Sequence, residues 1–95
     1  MKKSGGYIDT KIATPEIQKM AIQLQSIVEE KLSTKFKLFN AVEYTCNFVE
    51  GINYIIKVKA DEKYLIMYVY QPALESKCPA QLASVHTEVT ASSPL

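Results

Sequence analysis

The sequence predicts a single-domain α+β fold, one long α-helix wrapped by an antiparallel β-sheet of four to five strands. Three observations carry this expectation. The chain has 95 residues, 47% of them hydrophobic and 22% charged, which suits one globular core and excludes disorder. Apolar residues recur at spacings of three and four between Ile17 and Leu32, then at a spacing of two from Val42 onward. That is the change from helical to strand periodicity. Short polar segments, Glu50-Gly51 and Ala60 to Lys63, then separate the alternating stretches as hairpin turns do. A helix followed by strands joined through short turns is an α+β plan.

Taken in order, residues 1–13 read as a flexible N-terminal arm, because Gly5-Gly6 combines wide backbone freedom with nothing to pack. Thr14-Pro15-Glu16 reads as a helix start, with a hydroxyl at the N-cap, proline at the first helical position and a carboxylate in the first turn. The stripe Ile17, Met20, Ala21, Leu24, Ile27, Val28 and Leu32 predicts an amphipathic helix of about five turns, ending near Ser33-Thr34. In the first long strand, Val42, Tyr44, Cys46 and Phe48 share one face and Ala41, Glu43, Thr45 and Asn47 the other. Gly51 supplies the positive φ of a tight turn. The next strand places Ile52, Tyr54, Ile56 and Val58 inward, with Lys57 and Lys59 on the polar side. Tyr64 to Gln71 forms a further strand, with Leu65, Met67 and Val69 on one face. Residues 72–79 read as a loop, Gln81 to Thr90 as a weaker last strand, and residues 91–95 as a tail with nothing to pack. Ile55, Ile66, Tyr68 and Tyr70 share the face away from the helix. An apolar patch there points to self-association or strand exchange, unless loops or the tail cover it.

Composition also narrows the function. Eleven basic and ten acidic residues leave a net charge of +1, without the basic stripe that nucleic-acid binding needs. No apolar run approaches the ~20 residues of a membrane helix, and none follows Met1-Lys2-Lys3 as in a signal peptide. Two cysteines are too few for the disulfide framework of a small secreted domain, so a cytoplasmic protein with reduced thiols is expected.

Thiol chemistry would require Cys46 or Cys78 to meet the single His86. Cys46 has inward parity and His86 lies in the weakest strand, which favours a buried thiol and a solvated ring over a catalytic pair. Two thiols and one imidazole fall short of a zinc ligand set. Glu29 and Glu30 point about 100° apart on a helix, so they do not face one another as an acid/base pair. The three glycines make no phosphate-binding pattern. Tyrosines at strand positions fit sheet packing better than base stacking. No enzyme activity, cofactor or metal is expected. Binding through loops on a stiff scaffold is what remains.

One resemblance then stands out. The segments Ala13-Thr14-Pro15-Glu16-Ile17-Gln18, Glu29-Glu30-Lys31, Ala41-Val42-Glu43-Tyr44 and Val49 to Val58 resemble, in order and almost without gaps, the stefins, or type-1 cystatins. The likeness runs from Gly5 to about Gln71. It implies the cystatin fold and a cytosolic, disulfide-free, reversible inhibitor of papain-like cysteine peptidases, cathepsins of the B, H, L and S type among them. Three elements would fill the peptidase cleft. They are Gly5 and Gly6 in the arm, a Gln-x-Val-x-Gly hairpin matched by Asn47, Phe48, Val49, Glu50 and Gly51, and a second loop falling within Pro72 to Pro79, including Pro72, Ala73 and Leu74.

Three departures from the family pattern are visible. Asn47 shortens the usual glutamine, Glu50 replaces a small residue, and the second loop lacks a Leu-Pro pair in register. Glu50 and the altered second loop define the alternative reading, a non-inhibitory cystatin-fold interaction domain. Cys46 and Cys78 each neighbour one of the two loops, so a regulatory disulfide and two independent thiols are both open. The resemblance also implies a monomer when active. Exchange of the arm, helix and first strand by opening the hairpin at Val49 to Gly51 would give a domain-swapped dimer without the inhibitory tip.

Overall fold

Helix α1 spans Pro15–Leu32 in the computed structural model, which describes residues 6–73 and 78–95. It starts where the Thr14 hydroxyl accepts from the Ile17 amide at 3.3 Å, while Pro15 supplies a preset φ. It stops at Ser33, whose φ of 52° is left-handed and whose N–H turns back to the Glu29 and Glu30 carbonyls. Ile17, Ala21, Leu24 and Val28 form the buried stripe. Ile27, placed on that stripe by spacing, is 42% exposed, because it sits about 100° around the helix from Val28.

Five strands follow the order β1-β2-β3-β4-β5, every neighbour antiparallel: β1 (Lys11–Ile12), β2 (Phe39–Asn47), β3 (Ile52–Ala60), β4 (Lys63–Gln71) and β5 (Gln81–Val89). Tyr54, Ile56 and Val58 of β3 and Leu65, Met67 and Val69 of β4 face the helix stripe, as alternation predicts, and together they make the core. The short β1 was not expected from composition. Lys11 pairs with Tyr44 and Ile12 with Glu43. The Ile8 and Ala13 amides also donate to the Cys46 and Val42 carbonyls, each at 3.0 Å. Residues 8–13, read as part of an arm, thus lie along the edge of β2.

A register shift between Ala41 and Glu43 alters the parity of β2. Phe39, Ala41 and Tyr44 pack toward the helix, whereas Val42, expected inward, is 37% exposed. Phe48, also expected inward, lies beyond the end of the strand.

The outer face corrects two further expectations. Lys57 is 1% exposed rather than solvated. Its ammonium donates to the carbonyls of Ala91 and Ser93 and lies 3.6 Å from the Glu43 carboxylate. Two of the three ammonium N–H donors are thereby bonded to carbonyls, and the nearby carboxylate balances the charge. The tail, expected to pack on nothing, is instead held over the sheet by this lysine, and Ile55 and Ile66 beside it are buried. Tyr68 and Tyr70 remain half-buried. The predicted apolar patch is largely closed within the monomer.

Candidate functional site

Residues 48–51 join β2 to β3 and form an apolar tip. Phe48 is 67% exposed and Val49 59%. The turn depends on two left-handed residues, Glu50 at φ 53° and Gly51 at φ 114°. Glycine is required at 51 for a second reason. A Cβ there would stand 2.5 Å from the Gln71 carbonyl oxygen and 3.1 Å from the Tyr70 hydroxyl, so backbone on β4 would have to move. The tip is also braced by polar bonds. The Asn53 side-chain amide donates to the Asn47 side-chain oxygen at 2.9 Å and to the Val49 carbonyl at 3.5 Å. Asn47 is therefore turned into the hairpin and only 9% exposed. The Tyr70 hydroxyl donates to the Glu50 carbonyl.

The contact of Gly51 with Gln71 sets the tip beside the start of the second loop, since Gln71 directly precedes Pro72 and Ala73. The Gln71 side-chain amide spans that loop's base, reaching the Cys78 carbonyl at 3.1 Å. The N-terminal segment arrives at the same end of the sheet. Ile8 bonds Cys46 near the end of β2, and Gly6 precedes it, exposed and at φ 97°. One edge thus gathers Gly6, residues 48–51 and Pro72-Ala73. Gly5 and Leu74 lie outside the described residues.

Tyr70 and Asn53 escaped the sequence reading. Their signal was the register that pairs them directly across β3 and β4, which places both next to the turn.

Other candidate chemistry is dispersed. Cys46 is a free, buried thiol beside Tyr54, and burial pushes its pKa up, away from a reactive thiolate. It is not bonded to Cys78, which is exposed. His86 lies on β5, its ring edge-on to Tyr68 at 4.9 Å. Since β3 and β4 intervene, Cys46 and His86 stand on strands about 14 Å apart. Among the described residues, no three His, Cys, Asp or Glu side chains are grouped to hold a metal. An open groove of about 1250 Å³ lies at the opposite end, between Phe36, Tyr64 and Val89, and includes none of the tip residues.

Comparison with known proteins gives this edge its context. A model of the cystatin domain matches residues 5–91, which extends the likeness through β5. The chain is similar to stefin-C of Bos taurus, 40% identical over 84 residues that cover 87% of this chain and 83% of that protein. It is similar to cystatin-A of Felis catus, 41% identical over 68 residues covering 70% and 69%. Cystatin-B of Bos taurus is 37% identical over 84 residues, covering 87% and 86%. No helix among the described residues is long and apolar enough to cross a membrane. The chain belongs to the cystatin family, within its stefin branch.

Proposed function

We propose that the chain is a reversible, tight-binding inhibitor of papain-like cysteine peptidases of the cathepsin type, acting as a monomer in the cytoplasm. The cystatin family is made up of cysteine-protease inhibitors. The observation that carries the reading for this chain is the apolar pair Phe48 and Val49, exposed on a braced turn.

The physics is that of a preformed plug. Phe48 and Val49 bring apolar area to the cleft at little cost in ordering, because the turn is already held. Gly5 and Gly6 let the arm's backbone approach the enzyme closely beside its catalytic thiol. Pro72, Ala73 and Leu74 supply the second contact. Asn47 acts from beneath, through Asn53, and Glu50 presents a carboxylate to the rim, where a charge mainly alters association rate and partner choice. The inhibitor excludes substrate without presenting a scissile bond, so no covalent step is needed. A contact of about 1,600 Å² in total would suffice.

The test is titration of papain and lysosomal cathepsins with the chain, read by a small fluorogenic peptide substrate. The expected result is one-to-one loss of activity that returns on dilution. Flat curves from a cooperatively folded protein would instead support the non-inhibitory interaction domain, with Glu50 and the altered second loop as its marks.

A further inference from the structure

Two successive left-handed residues form the far corner of the tip, and the first of them, Glu50, carries a side chain. L residues disfavour that conformation, so a local contact must hold it. The Asn47–Asn53 pair lies at the base of the hairpin, and the Asn53 bond to the Val49 carbonyl is long at 3.5 Å. The bond that reaches the corner itself comes from Tyr70, whose hydroxyl donates to the Glu50 carbonyl. Its ring and hydroxyl also stand 3.1 Å from the position a Cβ on Gly51 would occupy. Tyr70 is itself fixed, because its backbone pairs with Asn53 on β3 and Gln81 on β5. It also stands two residues before Pro72, where the second loop starts.

We infer that Tyr70 is a positioning residue of the inhibitory tip. Its hydroxyl clamps Glu50 and keeps Phe48 and Val49 in the presenting conformation before any peptidase arrives. This rests on the inhibitor reading above. A clamp of this kind acts on the fraction of free protein that is ready to bind, so its loss appears in association rather than dissociation.

The test is Tyr70→Phe, which removes the hydroxyl and keeps the ring, with Tyr64→Phe at the far end of β4 as the control. Association and dissociation with papain are followed separately. Order parameters of the Glu50 and Gly51 amides are measured in the free protein. For Tyr70→Phe, association should slow by about fivefold, as for one lost hydrogen bond, with dissociation unchanged. The two amides should fall from about 0.85 to below about 0.6 while the rest of the sheet stays rigid. Tyr64→Phe should match the parent protein throughout. Unchanged association, or a loss confined to dissociation, would overturn the inference, the latter by showing that the hydroxyl touches the peptidase directly. If the parent protein inhibits no peptidase, the inhibitor reading falls by itself. The amide measurement still decides the clamp, and unchanged order parameters would refute it.

Discussion

Strand β3 ends in two turns of opposite character. At one end Asp61, itself left-handed at φ 56°, directs its carboxylate inward along the chain. That oxygen accepts from the Lys37 and Leu38 amides at 2.9 and 2.8 Å, and the Asp61 amide donates to the Leu38 carbonyl at 2.9 Å. The turn stitches the sheet to the segment between α1 and β2. At the other end, the side-chain bonds of residues 47–53 stay within the hairpin or come from Tyr70 on the adjoining β4, and Phe48 and Val49 are left in water. Exposed apolar area of this kind is unfavourable for the monomer and becomes favourable only on contact. The first turn serves the fold, and the second, on the inhibitor reading proposed above, is kept for a partner.

The sharpest way to break this contrast is Val49→Asp. A charge at a desolvated contact centre should weaken inhibition by roughly 3 kcal/mol, seen as a more than hundredfold rise in inhibition constant against papain. The thermal unfolding midpoint should not move. A matching loss of stability would mean that Val49 serves the fold after all.

Between the two turns, Lys57→Ala should do the reverse. Removing the ammonium leaves two tail carbonyls without their donor and should cost about 2 kcal/mol in urea unfolding. The estimate is below that for a fully buried pair because Glu43 is partly exposed and stays solvated. Inhibition at saturating protein should persist. Asp61→Ala should cost about 1 kcal/mol, a drop of about 5 °C in the midpoint, again with inhibition intact. Weakened inhibition in Asp61→Ala would erase the division between the turns.

The smallest effect is one of pH. The Phe36 amide, and secondarily the Gln25 side chain, hold the Glu29 carboxyl below its usual value of 4.5. A depressed folded value stabilises the protein above the unfolded value, and that stability is lost as pH falls through the folded one. Urea midpoints of the parent protein should therefore decline below about pH 4.5 more steeply than those of Glu29→Gln. Identical slopes would remove Glu29 from the acid response.

Most of the fold is readable from period alone. The helix and the four long strands each repeat a pattern over many residues, and the helix start is marked locally by the Thr14-Pro15 cap. What escaped was set by single contacts. Strand β1 is two residues long and carries no period. The irregularity after Ala41 reverses the parity of Val42 without any glycine to mark it. Lys57 has the spacing of an outward residue and becomes buried only because a polar, unpatterned tail returns to it. At the candidate site, Phe48, Val49 and Gly51 were legible as a family hairpin. Asn47 was legible as a site residue but not as an inward brace, since its partner Asn53 is defined by register. Tyr70 looked like one more outer-face tyrosine for the same reason.

The most direct measurement is a crystal structure of the chain bound to papain. The account predicts Phe48 to Gly51 and the N-terminal glycines inside the cleft beside the catalytic thiol, with Pro72 and Ala73 against the adjoining wall. A complex in which this edge faced solvent while the enzyme gripped the helix or the Asp61 end would contradict it.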